Sequence, residues 1–329
     1  PLTASALAND RGESEVSATA APRLGAGYAL ASVRWDRGQG FRTTPRDQQV
    51  PATARAAFDS WSAALRTVSP LSNYDEVHLS SGLVFEDNRT LRFAGADSSS
   101  SGQDASVRLV GRGDWQFDAL AYVQARDFSN VVVSSTNFRR TLDQRATPST
   151  GLGGKVELRP PLGPDHVLRL GGGLRITEGT MEEEAYSGLT GAVTERRRAG
   201  GRNSDLGLYL EHDWTIGAIV LTAGLRADRW TVRDGYYRAY AGSGALLRDE
   251  RFGNRAGWET SWRGGAVWQA SDALALRAVG YTGLRLPTLN ELYRPFVVFP
   301  VVTEANAELR NGRLEGFEAG FDFSPGQTF

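Results

Sequence analysis

Leu206-Gly-Leu-Tyr-Leu-Glu-His-Asp-Trp214, followed after Thr215–Ala218 by Ile219-Val-Leu-Thr-Ala-Gly-Leu-Arg-Ala-Asp228, is the stretch that decides the fold. In its first half Leu206, Leu208, Leu210 and Trp214 share a face with His212, while Asp205, Gly207, Tyr209, Glu211 and Asp213 share the other. A strand imposes this period of two because successive side chains point to opposite sides. In the second half Ile219, Leu221, Ala223, Leu225 and Ala227 oppose Thr222, Gly224, Arg226 and Asp228. Two such runs joined by a short turn predict an antiparallel hairpin with one apolar and one polar face.

The unit recurs. Leu152, Val156 and Leu158 alternate with Gly153, Lys155, Glu157 and Arg159, then turn through Pro160–Asp165 into Leu168, Leu170, Leu174 and Ile176. Trp258, Thr260, Trp262, Ala266 and Trp268 alternate with Glu259, Ser261, Arg263 and Gln269, then turn through Ala270–Asp272 into Leu274–Leu284. Further turns fall near Pro70–Asp75 and Gly111–Asp114, giving eleven strands between Phe58 and Phe323 and a twelfth at Gly27–Trp35. Polar tracts at Asp127–Thr150, Glu178–Ser204, Arg233–Gly257 and Pro287–Gly312 read as long loops. Short turns at one end and long loops at the other describe an all-β, transmembrane antiparallel β-barrel of an outer membrane, whose spanning strands need about 9–11 residues. On this reading Leu208, Leu210, Leu221 and Leu225 face lipid, and Glu211, Arg226 and Asp228 face the lumen.

A soluble sandwich alternates too, hiding its apolar face against a second sheet. Tryptophan placement separates the two. Trp115, Trp214 and Trp268 lie on apolar faces beside short turns, so three hairpins put an indole at one level, as an interfacial aromatic girdle requires. A mean hydropathy of −0.35 suits strands that show lipid only alternate residues. No run approaches the roughly 18 apolar residues of a membrane helix, and the longest apolar cluster, Phe296–Val302, is broken by Pro300. A net charge of −1 calls for no nucleic-acid partner. Cysteine is absent, as suits passage through an oxidising compartment.

Enzyme signatures are weak, and no catalytic residue, metal site or cofactor is expected. His78, His166 and His212 fall on separate strands without ligand spacing. Glu182-Glu183-Glu184 could bind a cation, and Arg196-Arg197-Arg198 could attract an anionic substrate or a lipopolysaccharide phosphate. The plainer reading is a solvated loop in which the two runs pair. Gly171-Gly172-Gly173 sits inside an alternating strand with no helix behind it, so it predicts strand bending or close packing, not a phosphate loop. For substrate recognition the aromatic tract Asp234-Gly-Tyr-Tyr-Arg-Ala-Tyr240 is the candidate. Tyr236, Tyr237 and Tyr240 beside Arg238 offer flat amphipathic surfaces at low entropy cost; the plainer reading is that they pack the loop against its neighbours or sit in the outer aromatic girdle.

The tract Tyr281-Thr-Gly-Leu-Arg-Leu-Pro-Thr-Leu-Asn-Glu-Leu-Tyr-Arg-Pro-Phe296 resembles the late-barrel signature of TonB-dependent outer-membrane receptors. There a strand ending in Phe-Arg-x-Pro precedes a Thr-x-Asn-Glu-Leu-Tyr segment. The matching positions are Arg285, Pro287, Thr288, Asn290, Glu291, Leu292 and Tyr293, with Leu284 in place of the usual Phe. Asn306, Leu309 and Glu318 are similar to the family's following loop and Glu-x-Gly strand, whereas Ala307, Asn311 and Gly312 replace its Pro, Pro and Glu. Tyr209–Trp214 and Thr222–Trp230 resemble a hairpin of the same receptors. Pro287 stands where the strand has ended and ladder bonding is no longer demanded, and Asn290, Glu291 and Tyr293 are expected to organise the outer rim.

The resemblance implies active uptake of a scarce nutrient, such as a ferric siderophore, a vitamin or an oligosaccharide, at the outer membrane of a Gram-negative bacterium. The implied partners are outer-membrane lipid, a small-molecule or iron-chelate substrate, and the TonB complex acting through a plug domain. Residues 1–329 are then expected to be a plug-less fragment, about half of a 22-stranded barrel. Pro1–Leu24 reads as an irregular segment too short for a plug, the hairpin starting at Leu314 lacks its second half, and Phe329 follows Pro325-Gly326 without closing a strand. A passive porin or autotransporter barrel, and a secreted carbohydrate-binding or hydrolytic β domain, are the rival readings.

Overall fold

The computed structural model describes residues 1–298 and 301–324. Pro300, and Pro325, Gly326 and Phe329, lie outside the described residues. The elements in chain order are β1 (Leu2–Ala8), β2 (Ser14–Ala20), β3 (Arg23–Leu24), β4 (Gly27–Gly38), β5 (Phe58–Pro70), β6 (Asp75–Thr90) and β7 (Asp97–Arg112). They continue as β8 (Gln116–Val133), β9 (Arg140–Ala146), β10 (Ser149–Arg159), β11 (His166–Tyr186), β12 (Val193–Ile216), β13 (Ile219–Ala241) and β14 (Leu246–Arg251). Last come β15 (Arg255–Ser271), β16 (Leu274–Arg285), α1 (Leu289–Tyr293), β17 (Phe296–Val298), β18 (Val301–Thr303) and β19 (Gly312–Phe323).

Among the described residues seventeen strands form one sheet, with β17 and β18 a separate ribbon. The ladders are all antiparallel and join the long strands as a meander, β1–β2–β4–β5–β6–β7–β8–β10–β11–β12–β13–β15–β16–β19, with β3, β9 and β14 as short neighbours. All eleven strands expected after Phe58 are there, and the twelfth is β4. Among the described residues β1 and β19 each pair along one edge only. The sheet is curved, because Glu157 of β10, Tyr209 of β12, Arg263 of β15 and Glu318 of β19 line one cavity on its concave side.

The central hairpin has the register its alternation requires. Leu210 lies opposite Leu225, and Ile216 opposite Ile219 across a two-residue turn. Gly217 opens that turn with φ +56°, a left-handed conformation that costs glycine nothing. Successive ladders align Leu170, Leu210, Leu225 and Trp262 in one row of the convex face. Leu208, Leu210 and Leu225 are 61%, 46% and 67% exposed there, which only lipid makes tolerable. The concave face is charged and paired. Arg169 bonds Glu211 at 2.9 Å and Asp213 at 2.6 Å, Arg263 pairs with Glu211, and Arg226 pairs with Asp228 at 2.6 Å. One sheet, apolar outside and ionic inside, excludes the sandwich. Trp214 and Trp268 project outward beside short turns, as expected, whereas Trp115 sits in its turn. Gly171 lies beneath the ring of Tyr209, where a Cβ would overlap it, which accounts for a glycine inside that strand.

Two expectations are corrected. Pro1–Leu24 is not irregular: β1 and β2 form a hairpin in continuous register from Leu2↔Ala20 to Ala8↔Ser14. Their Ala, Ser and Thr side chains carry too little hydrophobic contrast to announce a strand. The tracts at 127–150, 178–204 and 233–257 are mostly strand, since β11, β12 and β13 run to 21, 24 and 23 residues, about twice a membrane span. Beyond the bilayer both faces meet water, so the apolar period disappears while the ladder continues. Cross-strand ion pairs hold it. Arg198–Glu182 (3.3 Å), Arg197–Glu183 (3.3 Å) and Arg196–Glu184 (3.1 Å) pair the two charged runs residue by residue.

Candidate functional site

The chain between β16 and β19 folds inward across the concave face. β16 ends at Arg285, Pro287 follows buried, and α1 starts under a capping box. Thr288 Oγ1 accepts from the Glu291 N–H at 3.3 Å, and the Glu291 carboxylate accepts from the Thr288 N–H at 2.8 Å. Arg285 adds a 2.7 Å ion pair to that carboxylate. The Arg285 guanidinium and the Thr288 backbone N–H together pull the Glu291 carboxyl down to about 2. Five residues of helix are too few to be stable alone, so the tertiary contacts carry it.

Those contacts are apolar first. Leu292 and Tyr293 are 0% and 2% exposed and join Met181, Ala199, Val232 and Tyr237 in the main buried cluster. Phe252 stacks on Tyr293 with ring centroids 5.0 Å apart, and Leu309 packs against the same cluster. Gly235 lies beneath the Tyr293 ring, which a Cβ would overlap, so the sheet can receive the tyrosine only where it carries glycine. Burial of two such side chains is worth about 3–6 kcal/mol.

Polar ties fix the orientation. Asn203 Nδ2 donates to the Pro287 carbonyl at 3.0 Å, Arg255 Nη2 to the Leu309 carbonyl at 3.0 Å, and the Asn306 N–H to the Glu291 carbonyl at 3.2 Å. Glu183, 3% exposed, receives Arg294 at 2.7 Å from the inward segment and Arg197 at 3.3 Å from its own sheet. Next to it Glu184 accepts from Tyr186 at 2.7 Å and pairs with Arg196 and Arg145, and these partners hold its carboxyl below the usual range.

Nine of the ten signature positions therefore converge on one assembly. Arg285, Thr288 and Glu291 build the cap; Pro287, Leu292 and Tyr293 are buried; Asn306 and Leu309 close the returning chain; Asn290 stays exposed, its carbonyl accepting from the Arg294 N–H at 3.0 Å. Glu318 lies apart on β19, accepting from the Tyr281 hydroxyl at 2.8 Å. The expected rim is thus an inward strap, with Tyr293 as its anchor. Asn203, Phe252 and Arg255 belong to it without any local sequence signal, whereas Glu183 comes from the acidic run and Arg294 from the quoted tract.

The aromatic tract is not a loop. It is the far end of β13, so alternation divides its side chains. Asp234, at φ +56°, marks a bulge that shifts the facing of the strand beyond it. Tyr237 points inward, 5% exposed, beneath the Arg248 guanidinium. Tyr236 and Tyr240 point outward with Arg238, which pairs with Asp249 at 2.9 Å, and Tyr236 bonds Thr180 at 3.3 Å. The three tyrosines do not form one surface.

Beside this contact a cavity of about 530 Å³ lies between the start of the strap and the sheet, lined by Thr147, Arg175, Met181, Asn203, Asp205 and Thr288 among others. Asn203 Oδ1 and Asp205 Oδ1 are buried there without a protein partner. A larger cavity of about 1120 Å³ follows the concave face past Arg169, Tyr209, Glu211, Arg226 and Tyr281. Among the described residues no three His, Cys, Asp or Glu side chains gather to hold a metal ion. Although on separate strands, His166 and His212 do meet on the convex face, Nδ1 to Nε2 at 3.1 Å.

A curved antiparallel sheet with an apolar convex face, paired charges on the concave face and a loop strapped onto the inner wall defines an outer-membrane β-barrel. Residues 12–329 match the family model "TonB dependent receptor-like, beta-barrel", and the chain belongs to that family. Among solved structures, the copper transporter OprC matches 98% of this chain and 51% of its own, with 16% identity and a TM-score of 0.75. The closed form of the ferric-catecholate import receptor Fiu from E. coli K12 matches 98% and 55%, at 12% identity and a TM-score of 0.71. A double mutant of the Serratia marcescens hemophore receptor HasR, in complex with its hemophore and heme, matches 97% and 50%, at 15% identity and a TM-score of 0.71. The chain thus spans about half the length of these structures, and likeness at such identities speaks for the fold alone. No curated protein matches the chain. Membership of this family places the chain in the outer membrane of a Gram-negative bacterium.

Proposed function

We propose that the chain is the barrel portion of a receptor for active, TonB-energised uptake of a scarce nutrient, a ferric siderophore, a vitamin or an oligosaccharide, and that it is not an enzyme. The observation that carries this reading is the strap. A conduit open to passive flow gains nothing from a loop whose Tyr293 is buried against the inner wall and whose Arg294 is clamped on Glu183 of β11. A receptor that captures its substrate and then releases it on demand needs such a fixed platform above a polar passage. Arg169, Tyr209, Arg226 and Arg263 would line that passage.

On this reading the short turns, such as Gly217–Ala218, face the periplasm, and the extended ends of β11, β12 and β13 stand outside the cell. Energy would arrive through a plug domain pulled by the TonB complex. Substrate would first meet the outer ends of the long strands, where Tyr236, Arg238 and Tyr240 are candidates for contact. Uptake of labelled ferric siderophores, vitamins and oligosaccharides, measured in cells expressing the receptor with and without an inner-membrane protonmotive force, tests the proposal. Accumulation that stops when the force is collapsed supports it. Equal entry in energised and de-energised cells would mean a passive pore.

A further inference from the structure

Unsatisfied polar atoms gather where the strap leaves the wall. Elsewhere on the concave face charges are matched, Arg169 with Glu211 and Asp213, and Arg226 with Asp228. Two rows of the ladder break that pattern. Across β11, β12, β13 and β15 one concave row is Arg175/Asp205/Trp230/Gly257, and the next, further from the short turns, is Thr177/Asn203/Val232/Arg255. Five side-chain atoms among the described residues are buried with no hydrogen-bond partner, and three of them, Asp205 Oδ1, Trp230 Nε1 and Asn203 Oδ1, belong to these two rows. Native walls seldom carry such groups, so their gathering in one place needs a cause.

Asp205 is the clearest case. Its Oδ1 is sealed off, and the Arg226 guanidinium stands 3.8 Å from its Oδ2, beyond hydrogen-bond reach and closer to Asp228. Arg175 lies directly opposite on β11, exposed, and forms no ion pair with Asp205 or with any other of the described residues. Opposite charges facing each other across a ladder normally pair; these stay apart, with the 530 Å³ cavity beside them. Asn203, one row on, donates its Nδ2 to the Pro287 carbonyl at 3.0 Å and leaves its Oδ1 unbonded. From the strap side Asn290 lines the same cavity, and the strap's own architecture uses only its carbonyl. The volume lies within the range of about 300–1,000 Å³ that small-ligand sites occupy.

We infer that this junction binds a neutral, hydroxyl-rich ligand, a saccharide, bridged between Arg175, Asp205 and Asn203 of the wall and Asn290 of α1. A sugar hydroxyl donates and accepts at once, so neighbouring hydroxyls can donate to Asp205 and Asn203 while accepting from Arg175 and Asn290. Other chemistries fit worse. A polyanionic chelate would meet the Asp205 carboxylate, with Arg175 the one lining cation not already paired, since Arg285 is held by Glu291. A bare metal cation would meet the Arg175 guanidinium, and an apolar ligand would leave every orphaned atom unbonded. Because the Oδ1 atoms of Asn203 and Asp205 are closed to water, the saccharide reaches them as residues 286–290 lift from the wall, and the strap then settles onto it. The inference rests on the uptake reading and deepens it by naming the substrate class.

The test uses the receptor extracted from outer membranes in detergent, titrated with maltose, cellobiose, lactose and mannobiose, the per-O-methylated form of whichever binds, glycylglycine, and a ferric tricatecholate. A disaccharide should bind, and its methylated form, stripped of every donor, should bind at least tenfold more weakly. Arg175→Ala and Asp205→Ala should each cost at least tenfold in affinity and Asn290→Ala several-fold, whereas Arg34→Gln on β4 should change nothing. Hydrogen exchange of residues 286–311 should slow when the sugar binds the wild type and stay unchanged in Asp205→Ala. Heat-modifiable migration reports folding; if Asp205→Ala fails it, Arg175→Ala, at an exposed and unpaired position, carries the test. Binding of none of the four sugars, equal affinity for the methylated form, undiminished binding in both Ala variants, or glycylglycine or the ferric tricatecholate occupying the site in the sugar's place would overturn the inference. Uptake with and without a protonmotive force separates this reading from the one beneath it. Force-dependent entry of the ferric chelate by a receptor that binds no sugar would sink the saccharide site alone, and sugar entry that ignores the force would sink energised uptake while leaving the site.

Discussion

An arginine introduced on the convex face should report depth. Leu225 sits in the middle row of the band, 67% exposed to lipid, with Leu170, Leu210 and Trp262 beside it. Leu225→Arg places a guanidinium at the bilayer midplane, where the cost is about 2–4 kcal/mol. At about 1.4 kcal/mol per decade this lowers the folding equilibrium by roughly 30- to 1000-fold. Leu174→Arg enters the row that already holds Arg229, within snorkelling reach of the headgroups, and should cost only about 0–1 kcal/mol. Thr222→Arg points inward, where the Thr222 hydroxyl now donates to Asp213 at 2.7 Å, and should cost little because carboxylates await it. Reversible urea unfolding from lipid vesicles, followed by the fluorescence of Trp214 and Trp262, gives all three values. Equal costs for Leu225→Arg and Thr222→Arg would refute the assignment of faces; equal costs for Leu225→Arg and Leu174→Arg would refute the placement of the band.

Three further outcomes follow from the strap and the strand ends. Arg294→Ala leaves the buried carboxylate of Glu183 with Arg197 alone and should loosen the strap by about 1–3 kcal/mol. Arg294→Gln with Glu183→Gln should recover much of that, as read by proteolysis or hydrogen exchange of residues 286–311. The Glu291 carboxyl, lowered from 4.5 to about 2, contributes stability that is fully present above 4.5 and lost as pH falls through about 2. Protection of the strap should therefore persist at pH 3.5 in the wild type and be weaker, and flat across this window, in Glu291→Gln. Tyr237→Ala should destabilise the outer hairpin by about 3–5 kcal/mol, whereas Tyr236→Ala and Tyr240→Ala should spare assembly and lower substrate affinity if the outward face of β13 touches substrate. Unchanged uptake in the latter pair would remove that face from recognition.

The membrane part of the fold was legible because lipid forces a strict period. Leu206, Leu208 and Leu210 alternate with Tyr209 and Glu211 for a reason that acts on every residue separately, so eleven strands could be counted without a partner in view. Above the bilayer that pressure ends. Glu182–Glu184 and Arg196–Arg198 read as a polar loop, and only their register as cross-strand neighbours reveals a ladder. The aromatic tract misled for a related reason: one bulged residue, Asp234, reassigns every side chain beyond it, and a bulge has no hydrophobic signature.

The sequence by itself determined the class, the spanning strands, their lipid and lumen faces, and the importance of the segment from Arg285 to Tyr293, since each follows from local alternation or from a contiguous motif. Tertiary structure alone decided what that segment does. Arg294 meets Glu183 across 111 residues of chain, and Asn203 reaches Pro287 across 84. Gly235 makes the hollow that Tyr293 fills. None of these contacts can be foreseen until curvature of the sheet brings β11, β12 and β13 under the returning loop, because a contact between distant strands depends on a closure geometry that no single strand encodes.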